Sequence, residues 1–390
     1  MESRSRGVGM RVKVSGRHLL AIGASAIVLA GCVSSAAIVP ASREQQAQPV
    51  RTGSGAVTVP IGPPVRSSTP APQLPADPGF RRAPAGLDDR LFEIWKAFPG
   101  KTGIAVQRID GEWTLTQRGN ELFPQQSVSK LWVTLAVLDA VDNGRLRLDQ
   151  NVRIGPEDLT LFHQPIAARV QSQGSVTMTV RELIETAITQ SDNTANDSLL
   201  RTVGGPDAVR RFIDKKDLGA IRFGPGERLL QAGAAGLKWQ QSYSVGRSFQ
   251  AARAALPEAT RKAAMDAYRA DPPDGASPAA IANALTKLAR GNLLSPESTQ
   301  YLLGVMTRTK SGPQRLKAGL PAGWTFLHKT GTGQDYRGMT VGYNDIGIAT
   351  APDGTRYAIV VLMGEASSPV PARMATMQSV SRAVAEFHGR

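Results

Sequence analysis

The sequence predicts an α/β protein of the α+β type, in which an antiparallel sheet built from both chain ends is flanked by helices and a second subdomain is all-helical. Three observations lead to this prediction. Strand-like segments occur near the two ends of the globular region, a long helical stretch separates them, and an apolar helical repeat stands at each end. A functional site is therefore expected in a crevice between the two subdomains.

The globular region begins with a helix and a hairpin. Leu87, Leu91 and Ile94 recur at helical spacing, which predicts a first helix that ends before a Pro-Gly pair. Residues 103–107 and 113–116 then read as two strands joined through an Asp-Gly turn. These two strands are expected to form one part of the sheet.

The helical middle and the closing strands follow. An apolar helix is predicted over 131–141, and helical patterns continue to about residue 320. Residues 324–329, 340–349 and 357–363 read as three strands, and 374–387 reads as a closing helix.

The first 31 residues read as a signal peptide. Five basic residues precede an apolar run of twelve, which is too short to span a bilayer of about 20 residues. The run ends in Leu-Ala-Gly before Cys32, which resembles the lipobox of a bacterial lipoprotein. By that resemblance, residues 1–31 are removed, Cys32 is lipidated, and the protein is anchored to the membrane facing the periplasm. An ordinary secretory signal is the alternative.

Residues 32–86 are predicted to be a tether. Ten of the 26 prolines lie between Pro40 and Pro84, and neither a period of 2 nor one of 3.6 runs through the segment. Such a segment cannot bury an apolar face, but it can hold a domain away from a membrane. The globular domain is then residues 87–390.

Composition excludes several kinds of site. Of 390 residues, 41% are hydrophobic and the formal net charge is +14, which suits a globular domain with a basic surface. The lone Cys32 cannot form an intrachain disulfide, and the four histidines lack metal-site spacing. The basic residues are scattered, so nucleic-acid binding is not expected. We expect no metal, no cofactor and a monomer, with chemistry based on hydroxyls, amines and carboxylates.

Ser127 and Lys130 form the first candidate motif, Ser-x-x-Lys, at the head of the helix predicted over 131–141. Residues three apart on a helix face the same way, so the amine can take the serine proton if it is neutral. The helix N-terminus also offers free N–H groups to a developing oxyanion. By itself the motif is weak, because a helix cap followed by a surface lysine looks the same.

Two later motifs make the pattern specific. A Ser-Asp-Asn triplet begins at Ser191, after a predicted helix over 180–190, and a Lys-Thr-Gly triplet begins at Lys329 at the end of a predicted strand. These three motifs in this order resemble those of serine β-lactamases and penicillin-binding proteins. Sequence segments on either side of these motifs, spread over the whole globular domain, resemble class A β-lactamases. They are residues 123–124, 144–146, 178–183, 315–321 and 344–347.

The resemblance implies a β-lactamase/transpeptidase-like fold and a set of catalytic roles. Ser127 would be the nucleophile that the lactam acylates. Lys130 would be its proton acceptor or relay, and Ser191 would pass a proton to the departing lactam nitrogen.

It also implies the substrate-binding residues. Asn193 would hold the substrate and Lys130, while Lys329 and Thr330 would bind the substrate carboxylate. The backbone N–H groups of Ser127 and Thr332 would form the oxyanion hole.

A β-lactamase differs from a penicillin-binding protein in that it hydrolyses the acyl-enzyme. In class A enzymes this deacylation uses a glutamate in the omega loop. Glu227 stands at the expected distance from Ser191, in Glu-Arg-Leu-Leu-Gln. Gln231 replaces the family's usual asparagine, so it keeps an amide that can hold the deacylating water. The alternative is a solvated glutamate in a Gly-Pro-Gly loop.

The sequence departs from the class A pattern in three ways. No arginine stands just before Glu227, where the family has one that clamps the loop. An extended omega-loop region over about 232–277 carries two predicted helices, 248–256 and 258–269, and Trp239, Tyr243 and Tyr268 within it are expected to cover an apolar patch. The arginine that many members use for the substrate carboxylate is not identified, and Arg337 reads as a solvent-facing turn residue.

Three functions fit this sequence. The first is an exported, lipid-anchored class A β-lactamase that confers antibiotic resistance through a serine acyl-enzyme. The second is a D-Ala-D-Ala carboxypeptidase or penicillin-binding protein. The third is a non-hydrolytic lipoprotein that binds β-lactams or peptidoglycan. Glu227 and the class A-like flanking sequence favour the first function, a class A β-lactamase.

Overall fold

The structure, a computed structural model, describes residues 81–390. The predicted signal peptide 1–31, the lipidation site Cys32 and most of the predicted tether 32–86 lie outside the described residues. Among residues 81–390, every helix falls short of the length and apolar character that a membrane span requires. Ala83 already packs against the core, so the folded domain starts a few residues before Leu87.

The strands of the domain, in chain order, are β1 Gly100–Arg108, β2 Thr114–Gln117, β3 Phe123–Pro124, β4 Asn151–Ile154, β5 Val176–Thr179, β6 Gly275–Ala276, β7 Thr325–Thr332, β8 Asp335–Tyr336, β9 Met339–Thr340, β10 Tyr343–Thr350 and β11 Arg356–Ala366. The main sheet has the order β2-β1-β11-β10-β7, with β9 pairing both β11 and β8. All its pairs are antiparallel. The prediction of an antiparallel sheet from both chain ends is confirmed.

The helices, in chain order, are α1 Leu87–Ala97, α2 Lys130–Asp142, α3 Ile166–Gln173, α4 Val180–Thr189, α5 Asn193–Val203, α6 Pro206–Lys215, α7 Glu227–Ala234, α8 Ser248–Ala255, α9 Glu258–Ala270, α10 Pro278–Ala289, α11 Pro296–Thr307 and α12 Val370–Phe387. The short pairs β3–β6 and β4–β5, whose strands lie just before or within the helical middle, were not expected from the sequence. Strands of two to four residues are too short to show a period.

Two hydrophobic cores cover the two faces of the main sheet. The helices at the chain ends, α1 and α12, pack on one face through residues such as Leu91 and Val380. The other face packs against α10 and the helical subdomain, whose centre is α2. Most residues of α2 from Leu131 to Ala140 are apolar, and the whole of this stretch is buried. The buried α2 thus fixes the position of the residues at its N-terminus.

The extended omega-loop region contains the two helices expected there, α8 and α9. Trp239 and Tyr243 pack with Phe249 in an aromatic cluster, which confirms the predicted apolar patch for those two residues. The prediction is also confirmed for the ring of Tyr268, which belongs to a small buried apolar cluster with Leu230 and Met265. Its hydroxyl is buried in a polar contact with Gln126, next to the predicted nucleophile.

Candidate active site

Ser127 lies in a 3-10 turn, Gln126–Ser129, that leads directly into α2. The residue before it, Gln126, has a left-handed φ of 54°, which turns the chain sharply at this point. The helix begins at Lys130, one residue earlier than predicted. The spacing of three brings the Lys130 Nζ to 2.7 Å from the Ser127 Oγ.

Lys130 also contacts the predicted general base. Its ammonium forms a short ion pair with the Glu227 carboxylate, and both side chains are almost wholly buried. A buried pair of this kind retains both charges only when each group has close partners. One amine therefore joins the serine hydroxyl to a carboxylate, an arrangement through which a proton can be moved away from Ser127.

Glu227 is the first residue of α7, and Gln231 lies one turn later on the same face. The Gln231 Nε2 lies 3.3 Å from the Glu227 Oε2. The N-cap residue of this helix is Gly226, which has no side chain to bind the free N–H groups. Asp197 on α5 does this instead, because its Oδ1 accepts the Glu227 N–H at 3.1 Å.

Asp197 thus holds the start of α7 where the family's loop-clamping arginine is missing. Asp197 was not predicted as a site residue from the sequence. The available signal was its position on α5, four residues after Asn193, which places the two on the same helix face.

Asp197 should make the stability of the protein depend on pH. Burial, and then the charge of Glu227, raise its pKa from 3.8 to about 6. Between these values the folded state holds more protons than the unfolded state, so stability falls as pH rises from about 4 to 6. Asp197→Asn keeps an oxygen for the Glu227 N–H but cannot ionise. We expect the free energy of unfolding to fall less between pH 4.5 and pH 7 in this variant than in the wild type.

Urea unfolding at the two pH values measures this difference. Asp214→Asn, which removes an exposed carboxylate from α6, is the matched control for the loss of one charge. The same pH dependence in Asp197→Asn and in the wild type would contradict the prediction.

The Ser-Asp-Asn triplet connects α4 to α5. Ser191 has a left-handed φ of 61°, and its Oγ accepts a hydrogen bond from the Lys329 Nζ at 2.9 Å. Asp192 caps α5 by accepting the Ala195 N–H at 2.8 Å. Asn193 lines the cleft, and its Nδ2 donates to the backbone carbonyl of Leu161 at 2.9 Å. Its contact with substrate stays a prediction.

Strand β7 forms the wall of the cleft opposite the helical subdomain and carries the Lys-Thr-Gly triplet near its end, as predicted, although the strand continues to Thr332. A Cβ on Gly331 would collide with the carbonyl oxygen of Gln125, so only glycine lets this strand approach the nucleophile turn. Burial, and then the charge of Lys130, hold the pKa of Lys329 well below its ordinary value.

Arg315 is a second site residue that was not predicted from the sequence. It is nearly buried, lines the cleft, and donates from Nη2 to the Thr332 Oγ1 at 2.6 Å. Its guanidinium also lies 3.8 Å from the ring centre of Tyr343. Arg337, by contrast, is exposed and pairs with Glu258, as a solvent-facing turn residue would.

Together these elements enclose a cleft of about 270 Å³ between the sheet and the helical subdomain. Its lining includes most of the residues singled out in the sequence: Ser127, Ser191, Asn193, Glu227, Gln231, Thr330 and Thr332. Lys130 and Lys329 are buried. Phe162 and His163 also line it. Within residues 81–390, no group of His, Cys, Asp or Glu side chains could hold a metal ion.

Known proteins resemble this chain over the whole domain. The model of the β-lactamase enzyme family matches residues 86–388. The chain is similar to the β-lactamase VEB-1 of Pseudomonas aeruginosa, at 27% identity over 71% of this chain and 81% of the relative. It is also similar to the extended-spectrum β-lactamase PER-1 of Pseudomonas aeruginosa, at 29% identity over 77% of this chain and 87% of the relative.

A solved structure agrees with these relatives. An ancestral class A β-lactamase (GNCA) matches with a TM-score of 0.59 and 33% identity, over 77% of this chain and 99% of that one. This match covers the whole folded domain. The Ser-x-x-Lys, Ser-Asp-Asn and Lys-Thr-Gly motifs also follow in the family's order and meet around one cleft. The chain therefore belongs to the β-lactamase enzyme family and is a class A serine β-lactamase.

Proposed function

We propose that the protein hydrolyses β-lactams through an ester on Ser127, and so protects the cell from these antibiotics. The contact that supports this most directly is the Lys130 ammonium, which bonds both the Ser127 hydroxyl and the Glu227 carboxylate. Acylation needs a base for the serine, and hydrolysis of the ester needs a base for water. The contact between Lys130 and Glu227 provides both bases, Lys130 for the serine and Glu227 for the water.

In the acylation step, the Ser127 oxygen attacks the lactam carbonyl carbon. Its proton passes to Lys130, after Lys130 has given a proton to Glu227. The N–H groups of Ser127 and Thr332 stabilise the oxyanion until the carbon–nitrogen bond breaks. Ser191 then protonates the nitrogen and is reprotonated by Lys130, and Glu227 returns the proton it received. The net result is that the Ser127 proton resides on the nitrogen and Glu227 is again a carboxylate.

In the deacylation step, Glu227 takes a proton from water while the water oxygen attacks the ester carbon. The bond between that carbon and the Ser127 oxygen breaks, and the oxygen recovers a proton from Glu227 through Lys130. Gln231 lies one helical turn from Glu227 and offers an amide to the same region. The predicted roles of Glu227 and Gln231 therefore belong to one step.

The substrate carboxylate would bind at the end of the cleft formed by Lys329, Thr330, Thr332 and Arg315. The Arg315 guanidinium, the Lys329 amine and two hydroxyls converge there, and a charged hydrogen bond contributes more than a neutral one. We expect Arg315→Ala to raise KM roughly tenfold or more, with a smaller change in kcat, because one such bond is lost.

Steady-state kinetics with a penicillin measure this effect. Arg337→Ala is the matched control, since Arg337 is the other arginine near this strand but pairs with Glu258 at the surface. A larger rise in KM for Arg337→Ala than for Arg315→Ala would reverse the assignment.

Mass spectrometry of the protein mixed with a penicillin, beside a hydrolysis assay, tests the proposed function. We expect steady turnover with an adduct that forms and disappears. A stable one-to-one adduct without turnover would indicate a penicillin-binding protein instead. Neither adduct nor turnover would overturn the proposal.

The proposed location rests on the sequence. The basic N-terminal stretch, the apolar run and the Leu-Ala-Gly-Cys32 motif support export and a lipid anchor on Cys32, facing the periplasm. Fractionation of cells tests this: recovery of the protein with the membranes supports the anchor, and recovery of the Cys32→Ser variant in the same membrane fraction contradicts it.

A further inference from the structure

A row of hydrogen bonds leads from the extended omega-loop region into the active site and back. Arg253 on α8 donates from Nη1 to the Gln334 Oε1 at 2.9 Å. The Gln334 Nε2 donates to the Gln231 Oε1 at 3.0 Å, and the Gln231 Nε2 donates to the Gln126 Oε1 at 2.9 Å. Three side-chain amides are thus joined head to tail.

The other end of the row is a tyrosine and a carboxylate. The Gln126 Nε2 donates to the Tyr268 hydroxyl at 2.6 Å, and this hydroxyl donates to the Asp274 Oδ1 at 3.0 Å. The Asp274 Oδ2 accepts the backbone N–H of Gln126 at 2.8 Å. Apart from Arg253, which is partly exposed, these side chains are buried.

The two ends determine the direction of every bond between them. A guanidinium can only donate, and an ionised carboxylate can only accept. Burial raises the pKa of Asp274 to about 6, so the carboxylate is an acceptor above that pH. An amide turned by 180° would place oxygen against oxygen on one side and NH2 against NH2 on the other. The orientation of each amide therefore follows from its neighbours.

The direction matters because Gln231 also contacts Glu227. With its NH2 group toward Gln126, the Gln231 Nε2 lies 3.3 Å from the Glu227 Oε2. The Glu227 carboxylate is then held between two donors, Lys130 on one oxygen and Gln231 on the other. A reversed Gln231 would present its oxygen to the carboxylate and repel it.

We propose that the inserted helices α8 and α9 serve deacylation, with Arg253 and Tyr268 as positioning residues that orient Gln231 toward Glu227. The inference rests on the proposed role of Glu227 as the base for water. It gives the extended loop a function beyond covering an apolar patch, since both ends of the row, Arg253 and the Tyr268–Asp274 pair, belong to it. Neither residue touches the reacting atoms.

The test is the rate at which the acyl adduct on Ser127 disappears in a single turnover with a penicillin, followed by mass spectrometry. We expect Tyr268→Phe to slow this rate roughly five- to fiftyfold, the effect of losing one orienting hydrogen bond. Because Tyr268 is buried behind Gln126, kcat/KM, which reports acylation, should stay within about twofold. Tyr336→Phe is the matched control, since it removes a tyrosine hydroxyl that bonds Glu258 outside the row.

Variants at the Arg253 end of the hydrogen-bonded row test the inference even if Tyr268→Phe does not fold. Gln334→Glu retains a partner for Arg253 but cannot donate to Gln231, so it should also slow loss of the adduct. Arg253→Met should act in the same direction, and Arg253→Lys should restore part of the rate.

The inference is overturned if Tyr268→Phe and Gln334→Glu lose the adduct as fast as the wild type, or if kcat/KM falls as much as the deacylation rate. An equal effect of Tyr336→Phe would also overturn it. A wild-type adduct that never decays would overturn the proposed function itself, and this inference with it. That outcome is distinct, because it is seen before any variant is made.

Discussion

Ser127→Ala is expected to lower kcat for β-lactam hydrolysis by roughly four orders of magnitude or more, and to leave no covalent adduct. The side chain oxygen is the atom that would form the ester, and nothing else at this position can replace it. The turn around it should survive, because the hydrogen bond from the Val128 N–H to the Gln125 carbonyl does not involve the serine side chain. Substrate should therefore still bind.

Hydrolysis assays and intact-protein mass spectrometry measure the two parts of this result. Ser172→Ala is the control, because Ser172 is exposed on α3 and its hydroxyl donates to the carbonyl of Arg169 in the preceding turn. Penicillin hydrolysis by Ser127→Ala at a rate close to that of the wild type would remove Ser127 from the mechanism. A retained adduct would place the nucleophile elsewhere.

Most of the fold could be predicted because its elements carry local signals. The long strands of the main sheet, the apolar α2 and the two helices of the extended loop each show a period that the structure reproduces to within a few residues. Ser127 and Lys130 could be paired for the same reason, since a spacing of three within one turn fixes their contact.

The other site residues could not be predicted, because their roles depend on contacts between segments that are distant in the sequence. Asp197 caps a helix that starts 30 residues later, and Gln126 meets Tyr268 across 142 residues. A single aspartate or tyrosine has no periodic pattern, so only the tertiary structure shows what it bonds. For Tyr268, the sequence predicted the apolar packing of its ring but not the two hydrogen bonds of its hydroxyl.

Glu227→Ala is expected to separate the two chemical steps. Acylation of Ser127 should continue, while kcat falls by roughly two to four orders of magnitude because no carboxylate remains to activate the water. The Lys130 Nζ itself lies 2.7 Å from the Ser127 Oγ, so the first step retains a group that can take the serine proton. Mass spectrometry should then show a long-lived one-to-one adduct.

The same missing charge should destabilise the fold, since breaking a buried ion pair costs about 3–5 kcal/mol. Glu227→Gln tests whether the kinetic effect is separate from this cost, because the amide fills the same space and can still accept a hydrogen bond from Lys130. We expect it to trap the adduct as well, with a smaller loss of stability. Glu386→Gln, on an exposed position of α12, controls for the change of charge. Undiminished turnover in Glu227→Gln would mean that another group activates the water, and the short contact between Lys130 and Glu227 would then serve acylation and stability alone.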